Sequence, residues 1–552
     1  TGGPSGGCIP AESFGSKVDY ESLNAMGAIM GSGGMVVMDQ DNCMVDLARY
    51  FINFTASESC GKCAPCREGL SQMSRILSDI SRGRAKLEDL DELERIAACV
   101  KDSSLCGLGQ TAANPVLTTL KYFRDEYEKH IIDKRCDAGV CESLYYALCE
   151  NSCPLHMNIP GYLALLQENR IEEAYELSLR DNPLPGVMGR ICHFHCQMRC
   201  RRDELDEPVA QGEIHRYLAD VMYKMGREKT VWDRLVKEKK KPTGLKIAIV
   251  GAGPAGLSAS FYLARLGYDV SIFEAQPKAG GILRYGIPSY RLPKDILDKE
   301  LELWKTLGVK FVYNARVGKK PSFSQLKSGF DALILAVGAQ DDKKLGIPGE
   351  SLDGVHPGFD WLGEFASGHK DELGRRCLVI GGGNVAIDTA RTLFRLDKEV
   401  TVIYRRTKED MPANSLELKG AEEEGIRFEY MLQPEEIIGE AGRVKAVRFR
   451  VMRSGGIDRS GRPKPVPSDR TVEIACDEVF VAVGENVLSE PWENAGLSVR
   501  PDKRLAADLA TGSLRANIWA IGDAVSGPST AAEAMGHGKY CARAIDRLLM
   551  NR

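Results

Sequence analysis

The sequence predicts a multidomain α/β protein, in which N-terminal helical domains rich in cysteine precede two nested, doubly wound domains with parallel sheets. Three observations predict this fold class. Of the 17 cysteines, twelve lie between Cys60 and Cys200. Apolar residues recur with a helical period up to about residue 236. From Leu245 onward, short apolar runs alternate with helical stretches, and a glycine-rich strand-to-helix turn occurs twice.

The composition is that of a globular protein. Of the 552 residues, 43% are hydrophobic and 27% charged, and this length suffices for about three to four domains. The net charge of −4 gives no reason to expect nucleic acid or an anionic membrane as a partner. No apolar run approaches the ~20 residues of a membrane span, and the first residues lack the basic and apolar regions of a signal peptide. We therefore expect a cytoplasmic protein without a membrane span, whose first residues begin inside a domain.

The first part of the chain is predicted to be helical. Residues 1–35 are rich in glycine and indicate a loop, with a short strand at 35–38. Two apolar helix faces follow, and 87–100 repeats their spacing. The faces consist of Met44, Leu47, Ala48, Phe51, Leu70, Met73, Ile76, Leu77 and Ile80. A second helical block spans 136–226, with Pro160 suited to a first helical turn, and the lysine-rich segment 237–241 is interpreted as a solvated linker.

The crowded cysteines indicate metal ligands, because disulfide frameworks belong to small secreted chains. Cys60, Cys63 and Cys66 form C-x2-C-x2-C, and Cys106 follows after a gap of forty positions. Three close thiolates and one remote thiolate are typical of a [4Fe–4S] cluster. Zinc sites with four cysteines usually use two separate pairs, so zinc is the less favoured alternative here.

Four segments resemble the NADH-oxidising flavoprotein subunit of complex I and its relative in electron-bifurcating hydrogenases. They are GGPSGGCIP at 2–10, GSGGMVVM at 31–38, ESCGKCAPCREG at 58–69 and SLCGLGQTA at 104–112. The resemblance covers residues 1 to about 141, and it implies that Cys60, Cys63, Cys66 and Cys106 bind a [4Fe–4S] cluster. In that family the FMN and NADH site lies upstream of these motifs, so FMN is expected only in sequence that precedes Thr1.

Seven further cysteines follow, at positions 136, 141, 149, 153, 192, 196 and 200. The motif C-x3-C-P at 149–154 and the segment GRIC at 189–192 are similar to the N-terminal domain of the glutamate synthase small subunit, which dihydropyrimidine dehydrogenase shares. This resemblance runs from about 142 to 552 and implies two [4Fe–4S] clusters, one of them completed by a histidine. The implied ligand sets are Cys153, Cys192, Cys196 and His215 for one cluster, and Cys136, Cys141, Cys149 and Cys200 for the other.

Departures from that family leave an alternative open. Its opening C-x2-C pair is C-x4-C here. In the alternative, His130, Cys136 and Cys141 form part of a zinc site, one cluster remains in this block, and the chain holds two clusters instead of three. His193 and His195 are interpreted as hydrogen-bonding neighbours of a cluster. Isolated, buried and inert thiols are expected at Cys8, Cys43, Cys99, Cys377, Cys476 and Cys541.

The first glycine-rich turn, G-x-G-x-x-G, follows the predicted strand at 247–250. In a Rossmann-like dinucleotide site its glycines make the tight turn, clear the pyrophosphate and let helix and strand pack, and an acidic residue after the next strand binds ribose. The segments GGILRYGIP at 280–288 and IWAIGDA at 518–524 resemble flavoproteins of the glutamate synthase small-subunit type, which implies FAD. The predicted FAD residues are Gly251, Gly253, Ala255, Gly256, Glu274, Gly281, Leu283, Arg291, Gly522, Asp523 and Thr530.

The second turn, GGGNVA at 381–386, repeats the fingerprint with alanine at its third position. Where an acidic residue would hold a free ribose 2′-hydroxyl, this domain has Arg405 and Arg406. Guanidinium groups bind a 2′-phosphate through paired hydrogen bonds, which favours NADP(H) over NAD(H). The predicted NADP(H) residues are Gly381, Gly383, Asn384, Val385, Arg405, Arg406 and Gly484.

The repeated Ala-Val-Gly at 336–338 and 482–484 marks the two connections between these domains. We therefore predict an NADP(H) domain inserted into an FAD domain. The predicted segments are a remnant of an NADH-flavoprotein-type domain at 1–42, helical iron–sulfur domains at 43–135 and 136–236, the FAD domain at 245–355 and 485–552, and the NADP(H) domain at 356–484.

These motifs predict an NAD(P)H-dependent flavin and iron–sulfur oxidoreductase without a catalytic acid or base, because hydride transfer to flavin requires none. The leading hypothesis is a subunit of an electron-bifurcating transhydrogenase complex, whose partners are other redox subunits, an NAD(H) module and ferredoxin. The first alternative is the electron-input subunit of a hydrogenase, a formate dehydrogenase or a glutamate synthase-type complex. The second is a scaffold subunit with vestigial sites.

Overall fold

The computed structural model describes residues 1–31, 33–39, 41–145, 147–369, 372–458 and 462–550, so Ser32 of the motif at 31–38 lies outside the described residues. The chain divides into two compact units. The first combines Thr1–Asp181 with Phe194–Gln211, and the second combines Asn182–His193 with Gly212–Arg552. Among the described residues, no helix is both long enough and apolar enough to cross a membrane.

The first unit is helical, as its apolar periodicity predicts. Prolines occupy the first turns of three helices, where their missing N–H group is not needed. The helices are α1 (Tyr20–Ala25), α2 (Met44–Ser57), α3 (Ala64–Ser81), α4 (Glu88–Ser103), α5 (Gly107–Ala112), α6 (Asn114–Tyr122), α7 (Arg124–Ile132), α8 (Leu148–Ser152), α9 (Ile159–Gln167), α10 (Ile171–Asp181) and α12 (His195–Met198), with 3₁₀ turns at Ala11–Ser13, Glu142–Leu144 and Arg201–Glu204.

Helices α2, α3, α4 and α6 enclose the core of the first unit. Ala48 and Ile52 of α2 and Leu70, Met73 and Leu77 of α3 are buried in it. Burying one large apolar side chain of this kind stabilises a fold by ~1.5–3 kcal/mol. Four of these five residues belong to the two faces that the sequence predicts, so the helical interpretation of this region is confirmed.

The short strand predicted at 35–38 is wrong. Residues 34–39 form neither helix nor strand, and the side chains of Val36 and Val37 are 76% and 81% exposed. A strand needs a neighbouring strand that pairs its N–H and C=O groups, and a local apolar sequence does not supply one.

The second unit begins with helices and continues with alternating strands and helices. Its helices are α11 (Pro185–Ile191), α13 (Gln211–Met225), α14 (Glu228–Lys237), α15 (Pro254–Arg265), α16 (Ile282–Tyr285), α17 (Lys294–Thr306), α18 (Phe323–Gly329), α19 (Gly358–Ala366), α20 (Asn384–Arg395), α21 (Ser415–Glu423), α22 (Glu490–Asn494), α23 (Asp523–Ser526) and α24 (Ala531–Met550), with a 3₁₀ turn at Lys408–Asp410. Its strands are β1 (Lys246–Val250), β2 (Asp269–Phe273), β3 (Lys310–Val312), β4 (Ala332–Leu335), β5 (Asp341–Asp342), β6 (Val355–Pro357), β7 (Arg376–Ile380), β8 (Glu399–Tyr404), β9 (Arg427–Tyr430), β10 (Leu432–Glu440), β11 (Arg443–Ile457), β12 (Pro463–Ala475), β13 (Glu478–Val481), β14 (Glu485–Asn486), β15 (Ser513–Arg515) and β16 (Ile518–Ala520).

The first sheet of this unit has six strands in the order β15–β16–β4–β1–β2–β3. Strand β1 pairs in parallel with β2 and β4, whereas β15 pairs antiparallel with β16. The side chains of β4 and β16 are buried along their whole length, as expected for strands of a sheet that helices cover on both faces. Helix α15 follows β1 directly and packs on α24. The turn between β1 and α15 therefore lies at the carboxyl edge of the sheet, where dinucleotides bind in this architecture.

The second sheet has five parallel strands in the order β6–β13–β7–β8–β9. Helix α20 follows β7 in the same manner as α15 follows β1. Strands β10, β11 and β12 form a separate antiparallel sheet, which the sequence analysis did not predict. Two nested doubly wound domains are thus present, and the predicted fold class is confirmed.

Two very short strands lie where the chain passes between the domains. Strands β5 and β14 pair antiparallel, with Asp342 opposite Glu485 and Asp341 opposite Asn486. The two connections therefore run side by side. The predicted segment boundaries remain a prediction.

Candidate functional site

The turn between β1 and α15 requires glycine at two positions. Gly251 has a φ of +104°, and a Cβ there would lie 2.3 Å from the carbonyl oxygen of Ala336. A Cβ at Gly256 would lie 2.1 Å from the carbonyl oxygen of Gly251. No side chain fits at either distance, so the turn has the tight bend and close helix packing of a dinucleotide site.

Two backbone segments meet at the start of α15. Gly281 has a φ of +52°, and a Cβ there would lie 2.8 Å from Cα of Gly253, the residue before the first helical turn. The N–H groups of that first turn have no partner within the helix, and the helix dipole favours an anion there. This helix start therefore fits the pyrophosphate of a dinucleotide.

Glu274 follows β2 and is held beside this turn. Its Oε2 accepts the N–H of Ala252 at 2.7 Å, and its Oε1 accepts the N–H of Gln276 at 2.8 Å. Burial raises the pKa of the Glu274 carboxyl, and the backbone N–H groups counteract that shift. The fixed carboxylate keeps further lone pairs, which suit the hydroxyl groups of a ribose.

The C-terminal part of this domain closes onto the same turn. Gly522 has a φ of +66°, and a Cβ there would lie 2.8 Å from Cβ of Ala255. Asp523 begins α23 and accepts the hydroxyl of Ser529 at 3.0 Å. Burial raises the pKa of Asp523 to about 6. The predicted companion segment therefore lies against the glycine turn.

The second doubly wound domain repeats the turn. Gly381 has a φ of +153°, and a Cβ there would lie 2.1 Å from the carbonyl oxygen of Ala482, just as Gly251 approaches Ala336. Gly383 precedes α20, and a Cβ there would meet no protein atom within 4 Å. Space therefore remains in front of this helix for a second nucleotide.

The two arginines after β8 have different surroundings. Arg405 is exposed, whereas Arg406 is buried and its Nη2 donates to Asp458 at 2.6 Å. The other terminal nitrogen of Arg406, Nη1, is buried without a hydrogen-bond partner in the part of the chain that the structure describes. A buried donor of this kind is costly unless a ligand pairs with it. The pattern fits a phosphate held by Arg405 from outside and by Arg406 from inside.

A large cleft of about 1430 Å³ runs through the second unit. It exceeds the ~300–1,000 Å³ of ordinary ligand pockets, so a dinucleotide and part of a second one have room there. The predicted site residues that line it are Gly251, Gly253, Ala255, Glu274, Gly281, Arg291, Asn384, Val385, Gly522, Asp523 and Thr530. The predicted residues outside its lining are Gly256, Leu283, Gly381, Gly383, Arg405, Arg406 and Gly484, of which Gly256, Leu283, Gly381 and Arg406 are buried.

Part of the cysteine-rich block lines this cleft, and no motif in the sequence predicts this. Ile191 and His193, which flank Cys192, lie in its wall. His193 Nε2 is 3.1 Å from Nδ2 of Asn384, whose Oδ1 accepts the N–H of Asn414 at 2.9 Å. Because an amide nitrogen only donates, His193 accepts this hydrogen bond with Nε2. No local spacing could have predicted a contact across 191 positions.

The first cysteine motif is arranged around two helix starts in the first unit. Cys63 is the residue before α3, Cys66 lies in its first turn, and Cys106 is the residue before α5. The backbone N–H groups of Leu105 and Cys66 lower the pKa of the Cys63 thiol. The remote Leu105–Cys106 segment is therefore close to Cys63, and N–H donors aimed at sulfur fit the thiolates of an iron–sulfur cluster.

The later cysteines are divided between the two units. In the first unit, α8 packs on α12, and burial and the nearby Cys200 thiolate raise the pKa of Cys149. In the second unit, His215 on α13 is buried, and burial lowers its pKa to about 4. Its Nε2 lies 3.4 Å from Nδ2 of Asn182. The imidazole is therefore neutral, which is the form that binds a metal.

One group of metal-binding side chains is brought together by the fold. The ligand atoms of Cys43, His130, Cys136 and Cys141 all lie within 4.8 Å of one another, and all four residues are buried. Cys43 Sγ is 3.3 Å from His130 Nε2 and 3.9 Å from Cys141 Sγ. The expectation that Cys43 is an isolated thiol is therefore wrong. It precedes α2 and meets its partners across 87 and 98 positions, so its position in the sequence gave no indication of them.

The chemistry of this group fits a single metal ion. His130 Nδ1 donates to the carbonyl oxygen of Glu126 at 2.7 Å, which leaves the Nε2 lone pair facing the sulfurs. Hydrogen bonds among the thiols lower the pKa of Cys136 and raise the pKa values of Cys43 and Cys141. Sulfurs about 2.3 Å from a tetrahedral zinc ion are ~3.8 Å apart, close to the separation of Cys43 and Cys141. Ligands at four corners of an iron–sulfur cube lie farther apart.

Family models match three successive parts of the chain. The NADH-ubiquinone oxidoreductase-F iron-sulfur binding region matches residues 46–130, and dihydropyrimidine dehydrogenase domain II, 4Fe-4S cluster, matches residues 119–227. The model for pyridine nucleotide-disulphide oxidoreductases matches residues 245–538, more than half of the chain. The chain belongs to the pyridine nucleotide-disulphide oxidoreductase family.

Relatives of this pyridine nucleotide-disulphide oxidoreductase match nearly its whole length. The NADP(+)-dependent formate dehydrogenase subunit beta of Moorella thermoacetica is 34% identical over 607 residues, which cover 99% of this chain and 85% of the relative. The NADPH-Fe(3+) oxidoreductase subunit beta of Geobacter sulfurreducens is 34% identical with the same coverage. The glutamate synthase [NADPH] small chain of Halomonas elongata is 33% identical over 78% of this chain and 94% of the relative.

Both resemblances that the motifs predict are confirmed by these matches. This pyridine nucleotide-disulphide oxidoreductase is an NAD(P)H-dependent flavin oxidoreductase with 4Fe-4S domains. The individual cofactor-binding and metal-binding residues remain predictions.

Proposed function

We propose that this oxidoreductase exchanges electrons between NADP(H) and a chain of iron–sulfur clusters, as one subunit of a larger redox complex. The observation that carries the proposal is the shared cleft of the second unit. It is lined by the glycine turn of the first doubly wound domain, by the start of α20 from the second, and by Ile191 and His193 on either side of Cys192. A predicted nucleotide site, a predicted flavin site and the two neighbours of a predicted cluster ligand thus border one space.

FAD fits the first domain. When bound, FAD accepts a hydride and releases electrons singly, which links a two-electron donor to one-electron clusters. Gly251 and Gly253 keep the backbone free of side chains where the pyrophosphate lies, and Glu274 binds the ribose. Gly522 and Asp523, which also line the cleft, would hold the ribityl and phosphate portion.

NADP(H) is the proposed nucleotide of the second domain. Gly381 and Gly383 form the turn, and Asn384 and Val385 begin the helix that faces the cleft. Arg405 binds the 2′-phosphate directly, while the buried Nη1 of Arg406 gives a second donor. Asp458 balances part of the charge of Arg406, which lets that guanidinium stay buried without a bound nucleotide.

We assign the buried group of Cys43, His130, Cys136 and Cys141 to a structural zinc ion. Three thiolates and one imidazole at these separations form a closed tetrahedral set. Cys136 and Cys141 then cannot share a cluster with Cys149 and Cys200. The proposed ligands of the first [4Fe–4S] cluster are Cys60, Cys63, Cys66 and Cys106. The candidate ligands for the one cluster that remains in the later block are Cys149, Cys153, Cys192, Cys196, Cys200 and His215.

The complex is proposed to deliver electrons to, or take them from, a partner with its own active site. Similarity along nearly the whole chain to beta subunits of a formate dehydrogenase and an Fe(3+) oxidoreductase supports an electron-input subunit of that kind. A second candidate is an electron-bifurcating transhydrogenase complex with NAD(H) and ferredoxin. The match of residues 46–130 to the NADH-ubiquinone oxidoreductase-F region favours it.

An anaerobic titration tests the proposal. NADPH and NADH are added separately to the metal-loaded, FAD-loaded chain, flavin bleaching is followed optically, and reduced clusters are counted by EPR. We expect NADPH to bleach the flavin and then to reduce clusters, with NADH much slower. Bleaching by NADH alone, or flavin reduction without any cluster reduction, would contradict the proposal.

The partner is tested on the complex purified with its natural subunits. NADPH-driven reduction of NAD⁺ that requires ferredoxin supports the bifurcating complex. NADPH formation from formate, without ferredoxin, supports the formate dehydrogenase type.

A further inference from the structure

Glu300 is a carboxylate buried inside the second unit. It lies on α17 of the first doubly wound domain and is 2% exposed. Its Oε1 accepts the N–H of Gly186 at 2.5 Å, and its Oε2 accepts the N–H of Val187 at 3.0 Å. The hydroxyl of Tyr223 also donates to Oε1. Both oxygens are therefore used by groups outside α17.

The three donors belong to two helices that carry predicted cluster ligands. Gly186 and Val187 are in the first turn of α11, which ends at Ile191, directly before Cys192. Tyr223 is on α13, two turns after His215. One carboxylate on the flavin domain thus binds both ligand-bearing helices.

Helices α11 and α13 are also joined to each other. A Cβ at Gly189 would lie 2.6 Å from Cα of Arg216, so the two backbones touch at this point. Arg190 donates from Nη2 to both carboxylate oxygens of Asp220, at 2.8 and 3.0 Å. The two helices are therefore held together, and Glu300 attaches both of them to α17.

The hydrogen bonds from α11 to Glu300 also help to position the wall of the cleft, because the end of α11 forms part of that wall. Ile191 and His193, on either side of Cys192, line the cleft. A shift of α11 relative to α17 would therefore move Cys192 relative to the predicted flavin site. Groups that hold a site must keep it within about 0.5 Å of its working geometry.

Burial disfavours the charged form of Glu300 and raises its pKa to about 7. An apolar residue at this position would avoid that cost. A buried carboxylate is a poor source of stability unless donors satisfy it. Here an apolar side chain would leave the N–H groups of Gly186 and Val187 and the hydroxyl of Tyr223 without their acceptor. The two carboxylate oxygens supply enough lone pairs to accept hydrogen bonds from all three donors.

We propose that Glu300 is a positioning residue for electron transfer, which holds the helices that carry Cys192 and His215 at a fixed distance from the flavin site. This inference rests on the proposed function, in which those two residues bind iron. It assigns no electron-carrying role to Glu300 itself.

The test is Glu300→Gln, which keeps the size of the side chain but turns one acceptor into a donor that faces a backbone N–H. Glu302→Gln is the matched control, because Glu302 is on the same helix and its side chain is 49% exposed. Flavin bleaching and cluster reduction by NADPH are followed in one anaerobic rapid-mixing experiment, and the cluster EPR spectrum is recorded. For Glu300→Gln we expect flavin bleaching within about twofold of wild type, cluster reduction slowed about 10-fold or more, and a changed EPR spectrum, as for other groups that orient metal ligands.

Unchanged cluster reduction in Glu300→Gln would overturn the inference, and so would an equal slowing of both steps, which indicates a merely structural role. If Glu300→Gln does not fold, Tyr223→Phe is the second test of the inference. It removes one donor to Glu300 and leaves both backbone hydrogen bonds. It should slow cluster reduction without slowing flavin bleaching, and no selective slowing would overturn the inference. The wild-type measurement distinguishes failure of the proposed function from failure of the inference about Glu300. If NADPH reduces no cluster in the wild-type protein, the proposed function is wrong, whatever Glu300 does.

Discussion

Arg291 donates from Nη1 to both carboxylate oxygens of Asp388, at 2.9 and 2.7 Å. Arg291 lies between α16 and α17 of the first doubly wound domain, and Asp388 is on α20 of the second. Nε of Arg291 is also 2.9 Å from Oε1 of Glu417, an ion-pair contact without hydrogen-bond geometry. Both partners of the main pair are buried, and both line the cleft. A buried ion pair therefore bridges the two nucleotide domains, and the predicted contact of Arg291 with FAD remains a prediction.

Replacing Asp388 with Asn should weaken this contact between the two domains. The substitution keeps the shape but removes one acceptor and the negative charge opposite the buried guanidinium, so we expect a loss of about 1–3 kcal/mol of stability and slower bleaching of the flavin by NADPH. Thermal unfolding of the FAD-loaded protein and rapid mixing with NADPH measure the two effects. Asp397→Asn, the same chemical change at an exposed position at the end of α20, is the control. Equal effects of the two variants would contradict a specific role of the Arg291–Asp388 pair in holding the two domains together.

Gly251→Ala should abolish FAD binding. The new methyl group would lie 2.3 Å from the carbonyl oxygen of Ala336, and the backbone has a φ that alanine avoids. Such overpacking destabilises by about 1–3 kcal/mol or more at the turn that holds the cofactor. The FAD content of the purified protein, read from its absorption spectrum, checks this. Gly329→Ala in the same domain, where a Cβ meets no atom within 4 Å, should keep its FAD.

Arg405→Ala should raise the KM for NADPH and leave the KM for NADH nearly unchanged. A charged hydrogen bond to the 2′-phosphate is worth about 1.5–3 kcal/mol, which corresponds to a change of about 10- to 150-fold. Arg406→Ala should lower the melting temperature as well, because it removes the ion pair with Asp458. Steady-state kinetics with both nucleotides separate these effects. Arg375→Ala, an exposed arginine at the opposite ends of the strands, is the control, and equal losses with NADPH and NADH would count against a phosphate contact.

The wild-type chain should contain about one zinc ion, and Cys43→Ser should remove it while the iron content stays the same. The reason is that Cys43 supplies one of four ligands in a closed site, and a hydroxyl is a poorer ligand for zinc than a thiolate. Elemental analysis of zinc and iron in the same sample measures both. Cys99→Ser, at an exposed thiol in the same unit, should keep the zinc. Iron instead of zinc in this site would show up as a parallel loss of iron.

Glu300 should make stability depend on pH. Burial raises its pKa from 4.5 to about 7, and Tyr223, the two backbone N–H groups and Arg190 oppose that shift. Between these values the folded chain holds a proton that the unfolded chain has released, so the contribution of Glu300 to stability is lost as the pH rises toward 7. The melting temperature of wild type should therefore fall more between about pH 5 and about pH 8 than that of Glu300→Gln. Parallel curves for the two proteins would contradict the shifted pKa.

Local spacing predicted much of the fold and part of the site. The glycine turns follow from backbone geometry within a few residues: Gly251 and Gly381 both have a positive φ, and a Cβ at Gly256 would lie 2.1 Å from the carbonyl oxygen of Gly251. Cys63 and Cys66 share the start of one helix, so their spacing already encoded their proximity. Such features depend on neighbours in the sequence, which the sequence displays directly.

Contacts between distant residues could not be predicted in this way. Cys43 meets His130 only because α2 and α7 pack side by side, and Arg406 meets Asp458 only because β11 ends beside β8. The strand expected at 35–38 failed for the same reason, since its apolar residues have no sheet to join. Tertiary packing decided each of these, and no motif in one sequence records it.

The pairing of β5 with β14 has a consequence for the history and the engineering of the chain. Because Asp342 and Glu485 are opposite each other, the segment between them starts and ends at adjacent positions on one pair of strands. A module with such adjacent ends can be excised, exchanged for one that prefers another coenzyme, or inserted elsewhere without rerouting its host.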